Sequence, residues 1–338
     1  SPFNNLASFQ AINDGNGNHP KAGQSIFLYE SWDVVALSGD DYTGGIDLLA
    51  NQRLIGQDAT GTLAALAGVT LATGSAALPT FNATANKIVR LVNAAGNGVV
   101  LATGNTLNGF TIGNTGASSN DITGTAVGSL NVSNVSCIGT GGIIRVDTSG
   151  TLNVTLDNAT STSSTNAVFL TGTTGTFTIT TGAISGATGD DFVVTGGTVA
   201  VSSGVTITNT AGRSVNISGK TTSGGVTFTG AISDTGTGIL LDNNDGAIIS
   251  FSGGLTLTTT TNMAFSAVNG GTVNVTGATN TITTTTGNAL NVNATTIGAS
   301  GLTFRSISSN GATNGILLNN TGSTGGLTVT GNGSAGTG

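Results

Sequence analysis

Charge is scarce in this sequence. Lys and Arg number 8 and Asp and Glu 15 among 338 residues, so only 7% are charged, against roughly 25% in ordinary soluble domains. The net charge is −7 and no basic cluster exists. The cationic face that nucleic acid requires is therefore missing, and nucleic acid is excluded as a partner. The single cysteine, Cys137, has no partner within the chain for a disulfide and reads as a small buried apolar residue. The single histidine, His19 in GNGNHPKAG, has no second histidine with which to hold zinc and reads as a loop residue. No run of about 18 apolar residues occurs, so no helix of this chain spans a membrane. Ser-His-Asp and phosphate-binding glycine motifs are missing too. With 55 glycines, isolated Gly matches mean nothing.

What is present is Gly, Thr, Ser, Asn, Ala and Val, with apolar residues at 37%. Disordered chains lack such regularly placed Val, Ile, Leu and Phe. β-branched residues favour strands, while Gly and Asn favour tight turns. The composition is that of an all-β protein. It is also uneven. Residues 1–57 hold both tyrosines, the only tryptophan, the only histidine and six of the fifteen acids, and from about residue 98 the text becomes repetitive.

One apolar position per repeat follows a turn rich in Gly, Asn or Thr: Val100, Ile122, Ile144, Val168, Phe192, Val215, Ile239, Phe265, Leu290 and Ile316. The spacings are 22, 22, 24, 24, 23, 24, 26, 25 and 26, with an average of 24. A second alternating run usually follows: FTI at 110–112, LNV at 130–132 and 152–154, FTI at 177–179, VTF at 226–228 and LTV at 327–329. A third often comes next, as at Ile184, Ile232 and Ile282. Each run is three to five residues long with one apolar face, too little to bury alone. Three runs in about 24 residues fit one coil of a three-sided parallel β-helix, with coils stacked at about 4.8 Å. Propeller blades need periods of about 40 or more, and a sandwich would not yield nine near-equal spacings. The expected organisation is an N-terminal cap over 1–25, irregular first coils over 26–97 and regular coils over 98–338.

The stretch SIFLYESWDVVALSGDDYTGGIDLLANQRLIGQ resembles the first coils of right-handed parallel β-helix proteins. Ile26, Phe27, Tyr29, Tyr42, Thr43, Gly44, Ile46, Leu48, Leu54, Ile55 and Gly56 take the places of that pattern, and the Trp-containing insert at 31–38 departs from it. The later text, such as AGRSVNISGKTTSGGVTFTGAISDTGTGILL, resembles the strand-repeat regions of very large bacterial surface or secreted proteins. The resemblance implies an extracellular or cell-surface adhesin, stalk or matrix component. It also implies that residues 1–25 cap the open end, with Phe3, Leu6, Phe9 and Ile12 at a spacing of three suggesting a short amphipathic helix. The chain opens at Ser1 and stops at NGSAGTG inside a repeat. The expectation is that the polypeptide continues there or that this end docks onto another subunit.

Several residues are candidates for chemistry. Parallel β-helices include polysaccharide-cleaving enzymes, which need paired acids on one face. Asp190 and Asp191 are the local candidates, and Asp190 is predicted to meet Arg213 in the next coil. A surface ion pair is the plainer reading of that contact. Asp242 and Asp245, in LLDNNDGA, offer oxygen ligands to calcium, although Asn/Asp turn chemistry accounts for them as well. Otherwise no cofactor is expected. Threonine runs at 176–180 and 256–261 lack the common register that ice or mineral binding needs. Tyr29, Trp32, Asp40, Asp41 and Tyr42 form the expected interaction surface, while Asp40, Asp41 and Arg53 also read as solvated turn groups. The function expected is a non-enzymatic structural or adhesive rod. The alternatives are a self-assembling filament, sheath or surface layer, and a glycan-binding or glycan-cleaving helix. Expected partners are other copies of itself, further domains of the same polypeptide, and host or matrix glycans.

Overall fold

Short strands separated by glycine turns bury their apolar faces only by stacking coil on coil. The computed structural model describes residues 6–30, 41–81, 88–221, 224–277 and 279–331, and over them the chain winds into a parallel β-solenoid of about 12 turns with about 24 residues per turn. Each turn contributes strands to three sides. One side is an eleven-stranded sheet, and the other two belong to a nineteen-stranded sheet. The sheets are continuous because the strands Thr106–Thr115, Ser129–Cys137, Gly150–Ser161 and Thr173–Ser185 bend around the corner between those two sides. In later coils the corner is broken, and two short strands replace one long one, as in Ala200–Ser203 and Thr206–Asn209.

The repeat anchors stack in one column of the eleven-stranded sheet. Ile122, Ile144, Val168, Phe192, Val215, Ile239, Phe265, Leu290 and Ile316 are successive ladder partners. The first anchor differs from expectation. Val99, not Val100, stands beside Ile122, and Val99 is fully buried. A one-residue slip exchanges the two faces of a strand, and the pair Val99–Val100 gave the sequence no means of choosing. FTI at 110–112 also shifts. Phe110 pairs with Val135, so this run lies on the side that carries the third run, past the bend at Gly109.

The stacking explains the shortage of charge. Equivalent outward residues of neighbouring coils lie about 4.8 Å apart, where like charges repel. Uncharged side chains instead bond to each other along the rod, as Asn131 with Asn153 at 3.1 Å, Thr151 with Thr174 at 3.1 Å and Asn293 with Asn319 at 2.8 Å. Inside, a single core runs from Leu6 to Phe304. Within it six phenylalanines form a chain: Phe177, Phe192, Phe228, Phe251, Phe265 and Phe304 have consecutive ring centroids 6.3, 5.1, 5.3, 5.8 and 6.5 Å apart.

The early coils are irregular because the chain leaves them. Arg53–Gly56 and Arg90–Asn93 both pair with Thr106–Thr115 and so belong to one turn, and the described residues 57–81 between them contribute no strand to the stack. That excursion holds a helix at Leu63–Ala67, capped by Thr62 at its start and by left-handed Gly68 at its end. Ile55 pairs with Phe27 and Asn108 in the ladder. It faces outward and joins a satellite cluster with Ala59, Leu63 and Ala67, against which Phe27 and Phe81 pack. Arg53, a solvated turn group by its sequence context, is not one in the fold. It sits in a strand beside Ser25, and its guanidinium donates to the Ala67 carbonyl at 3.0 Å.

At the N-terminal end a helix spans Leu6–Gln10 and buries Leu6 and Phe9 over the strands Asp41–Thr43 and Ile46–Asp47. An amide pair fastens the segment that follows. The Asn13 and Gln52 side chains exchange hydrogen bonds at 2.8 and 3.1 Å, and both residues are buried. Phe3 and the insert at 31–38 lie outside the described residues.

Candidate functional site

The aromatic end carries the most varied side chains. Tyr42 sits mid-strand, half-buried against the core, and its hydroxyl donates to the Tyr29 carbonyl at 2.9 Å. Burial pushes its phenol above the usual value. Tyr29 is 47% exposed and meets Phe27 edge-on at 4.7 Å. A cleft of about 260 Å³ lies beside them, lined by Leu6, Phe9, Ile26, Leu28, Tyr29 and Tyr42 among others. The strand Ser25–Leu28 forms one wall, and its only ladder partner among the described residues is Arg53–Gly56. Asp41 begins the strand Asp41–Thr43, in register with Arg90. Trp32 and Asp40 lie outside the described residues. So the structure brings Tyr29 and Tyr42 together on one rim of this cleft.

Nearby is a carboxyl pair that the sequence did not reveal. Asp58 accepts the Val89 N–H at 2.7 Å and is hydrogen-bonded to the Glu30 side chain. Burial raises the Asp58 pKa to about 6, and Glu30 adds to the rise. The two acids are 28 positions apart in sequence and meet only because the excursion folds back onto the first coil.

Asp190 and Arg213 do meet across coils, but through the backbone. The Arg213 N–H donates to Asp190 Oδ1 at 2.8 Å and Asn216 Nδ2 donates to Oδ2 at 2.7 Å. The carboxylate is thus absorbed in holding the next turn. Its neighbour Asp191 points inward and is fully buried. Asn209 Nδ2 donates to Asp191 Oδ2 at 2.8 Å, while Oδ1 has no hydrogen-bond partner among the described residues. Burial raises its pKa to about 7, with Asp234 and Asp190 adding to the rise and Asn209 opposing it. One acid fixing a turn and another sealed inside do not present the two facing, accessible carboxyls that glycoside cleavage uses.

Asp191 belongs to a polar corner running alongside the eleven-stranded sheet. Thr115 Oγ1 donates to the buried Asp121 at 2.7 Å. Ser161 bonds to Ser164 at 2.9 Å. Asp234 accepts the N–H groups of Ser214, Gly236 and Gly238 at 2.7, 2.8 and 3.1 Å. Thr259 and Thr284 donate to the carbonyls of Asn262 and Gly287. The side chains of Asp234, Thr259 and Thr284 satisfy backbone polar groups of turns that stacking buries. Their spacing near one repeat was the available signal. The varied residue types (Thr, Ser, Asn, Asp) concealed it.

Asp242 Oδ1 takes a hydrogen bond from Asn269 at 2.8 Å. Among the described residues no three or more His, Cys, Asp or Glu residues gather as metal ligands. His19 Nδ1 lies 2.8 Å from Asp14 in an exposed loop. The Asn16 N–H, and then His19, hold the Asp14 carboxyl below its usual value. Lys220 has no counterpart in the sequence signals. It is fully buried, its ammonium donates to the Val199 carbonyl at 2.7 Å, and burial lowers its pKa to about 8. Searches of the chain against protein-family models, curated proteins and solved structures found no match in any of the three.

Proposed function

We propose that the protein is a structural or adhesive rod of a bacterial cell surface or secreted assembly, acting mechanically and not as an enzyme. The observation that carries this reading is the uninterrupted ladder. In the eleven-stranded sheet its coils stay in register from Val99 to Ile316, with interior apolar residues and outward Thr, Ser and Asn. Such a body resists local opening because each coil is held by two neighbours, and its uncharged flanks let rods lie side by side. The extracellular and bacterial parts of the reading rest on the resemblance of the repeats to those of large surface proteins.

Pulling a single molecule by its two ends tests the proposal. The expected result is a series of steps of about one coil each, roughly 80 Å of contour for about 24 extended residues. One all-or-none release at low force would contradict it. So would release of sugars from any member of a polysaccharide panel.

A second reading, assembly by coil-on-coil addition, is favoured by the two ends of one side. The strands Ser25–Leu28 and Leu327–Val329 both belong to the nineteen-stranded sheet, and each has a single ladder partner among the described residues. Ile26 and Leu28 alternate with outward Phe27 as Leu327 and Val329 do with Thr328. A further coil, of the same polypeptide or of another copy, would find matching polarity and alternation there. Concentration-dependent fibres in negative stain are the expected sign of assembly between copies, and a strictly monodisperse particle counts against it.

A further inference from the structure

The polar corner contains two acids whose surroundings suit a proton better than a charge. Asp121 and Asp191 each precede an anchor of the eleven-stranded sheet, Ile122 and Phe192. Both are buried, at 1% and 0% exposure, and each has one carboxyl oxygen with no hydrogen-bond partner among the described residues, Oδ2 of Asp121 and Oδ1 of Asp191. An ionised carboxylate has about four lone-pair sites to satisfy. Each of these receives one side-chain donor, from Thr115 and Asn209 respectively.

Among the described residues, the charged and titratable groups around them do not supply compensation. Asp190 on the same turn and Asp234 both oppose a charge on Asp191. Arg213, in the coil between them, faces this corner with its main chain: its carbonyl accepts from Asp191 N and Asn209 Nδ2, and its N–H donates to Asp190. Asp121 has the buried thiol of Cys137 beside it. A buried charge without a counter-charge costs several kcal/mol, and in practice the group takes a proton instead.

We propose that Asp121 and Asp191 are neutral carboxylic acids in the folded rod, and that they form a proton-operated latch that makes the solenoid strongest in mildly acidic surroundings. Burial raises both acids, Asp191 to about 7 and Asp121 well above the usual value. A group whose affinity for a proton rises on folding binds more protons folded than unfolded between its two pKa values. For Asp191 the resulting stability is complete below about pH 4 and is lost as the pH climbs from about 4 to about 7, and Asp121 contributes with the same sign. Asp58 acts in the same direction. Lys220 acts in a separate window. Its lowered value disfavours the charged form, so stability recovers only as the pH rises from about 8 towards 10.5.

Urea unfolding at pH 4.5, 6 and 8 tests the latch, on the wild type and on Asp191→Asn, which keeps the shape and cannot ionise. The wild-type midpoint is expected to fall as the pH rises. In Asp191→Asn the fall should shrink by the equivalent of about one proton. Carboxyl ¹³C NMR of the wild type follows Asp191 directly, whether or not the variant folds, and its midpoint is expected near 7. A wild-type midpoint that is flat or rises with pH would overturn the proposal, as would an unchanged slope in the variant or titration of Asp191 near 4.

Discussion

Replacing Phe228 by Ala lowers the free energy of unfolding by about 3–5 kcal/mol. Phe228 is fully buried and lies in the middle of the phenylalanine chain. It stacks on Phe251 at 5.3 Å with the planes 7° apart and meets Phe192 edge-on at 5.1 Å. Truncation removes the buried ring and leaves a cavity that the rigid coils cannot close. It also breaks two aromatic contacts worth about 0.5–1.5 kcal/mol each. In a solenoid the loss is local but not private, since the coils above and below both lean on the same ring. Phe228→Leu refills most of the space and is expected to cost about 1.5 kcal/mol or less. Denaturant midpoints at constant slope measure both. If Phe228→Ala costs under about 1 kcal/mol, the interior is not packed as described.

Gly182→Ala is the second large effect, expected at about 3–5 kcal/mol. Gly182 lies in the strand Thr173–Ser185 at the corner between two sides, stacked on Ala159 of the coil before. Its φ of +140° is one that side-chain-bearing residues rarely adopt, and a Cβ there would lie 1.8 Å from the Ala159 carbonyl oxygen. That oxygen belongs to backbone fixed by the ladder, so relief requires prising two coils apart. Gly225→Ala, also mid-rod, is the control. Its Cβ would approach nothing nearer than the Ile248 carbonyl oxygen at 3.7 Å, and it should remain within about 1 kcal/mol of wild type. Equal effects of the two substitutions would mean that the corner contact is not made.

The regular coils were legible in the sequence because one physical demand repeats in them. An inward residue must be apolar in every coil, so the column from Ile122 to Ile316 could be read from spacing alone. Where the demand weakens, legibility failed. Val99 and Val100 are both apolar, and only pairing with Ile122 shows which faces inward. Phe110 was assigned to the wrong side because the bend at Gly109 carries no turn sequence of the kind that separates later runs. Ile55 is as apolar as a core residue, yet it serves the excursion that packs outside the stack.

The candidate site was much less legible. Asp190 was singled out with the correct neighbour, Arg213, but the contact uses an amide and not a guanidinium. Paired acids in sequence alternate between faces, so of Asp190 and Asp191 one fixes a turn and the other is buried. Lys220 reads as an ordinary surface lysine in the sequence, and nothing in SGKTTSGG announces that the solenoid closes over it. The Glu30–Asp58 pair depends on tertiary return of the excursion, which short-range patterns do not encode.

The central claim is that consecutive coils lie directly on one another in a fixed parallel register, and engineered cysteine pairs test it most directly. Thr195 and Ser218 are ladder partners in the eleven-stranded sheet, as are Ser202 and Thr227 in the nineteen-stranded one. Such partners stand about 4.8 Å apart at Cα, within the span of a disulfide of about 4.4–6.8 Å. The account predicts that both in-register pairs oxidise readily in the folded protein, while Val193 with Ser218, two residues out of register, does not. Failure of the in-register pairs together with closure of the displaced pair would contradict it.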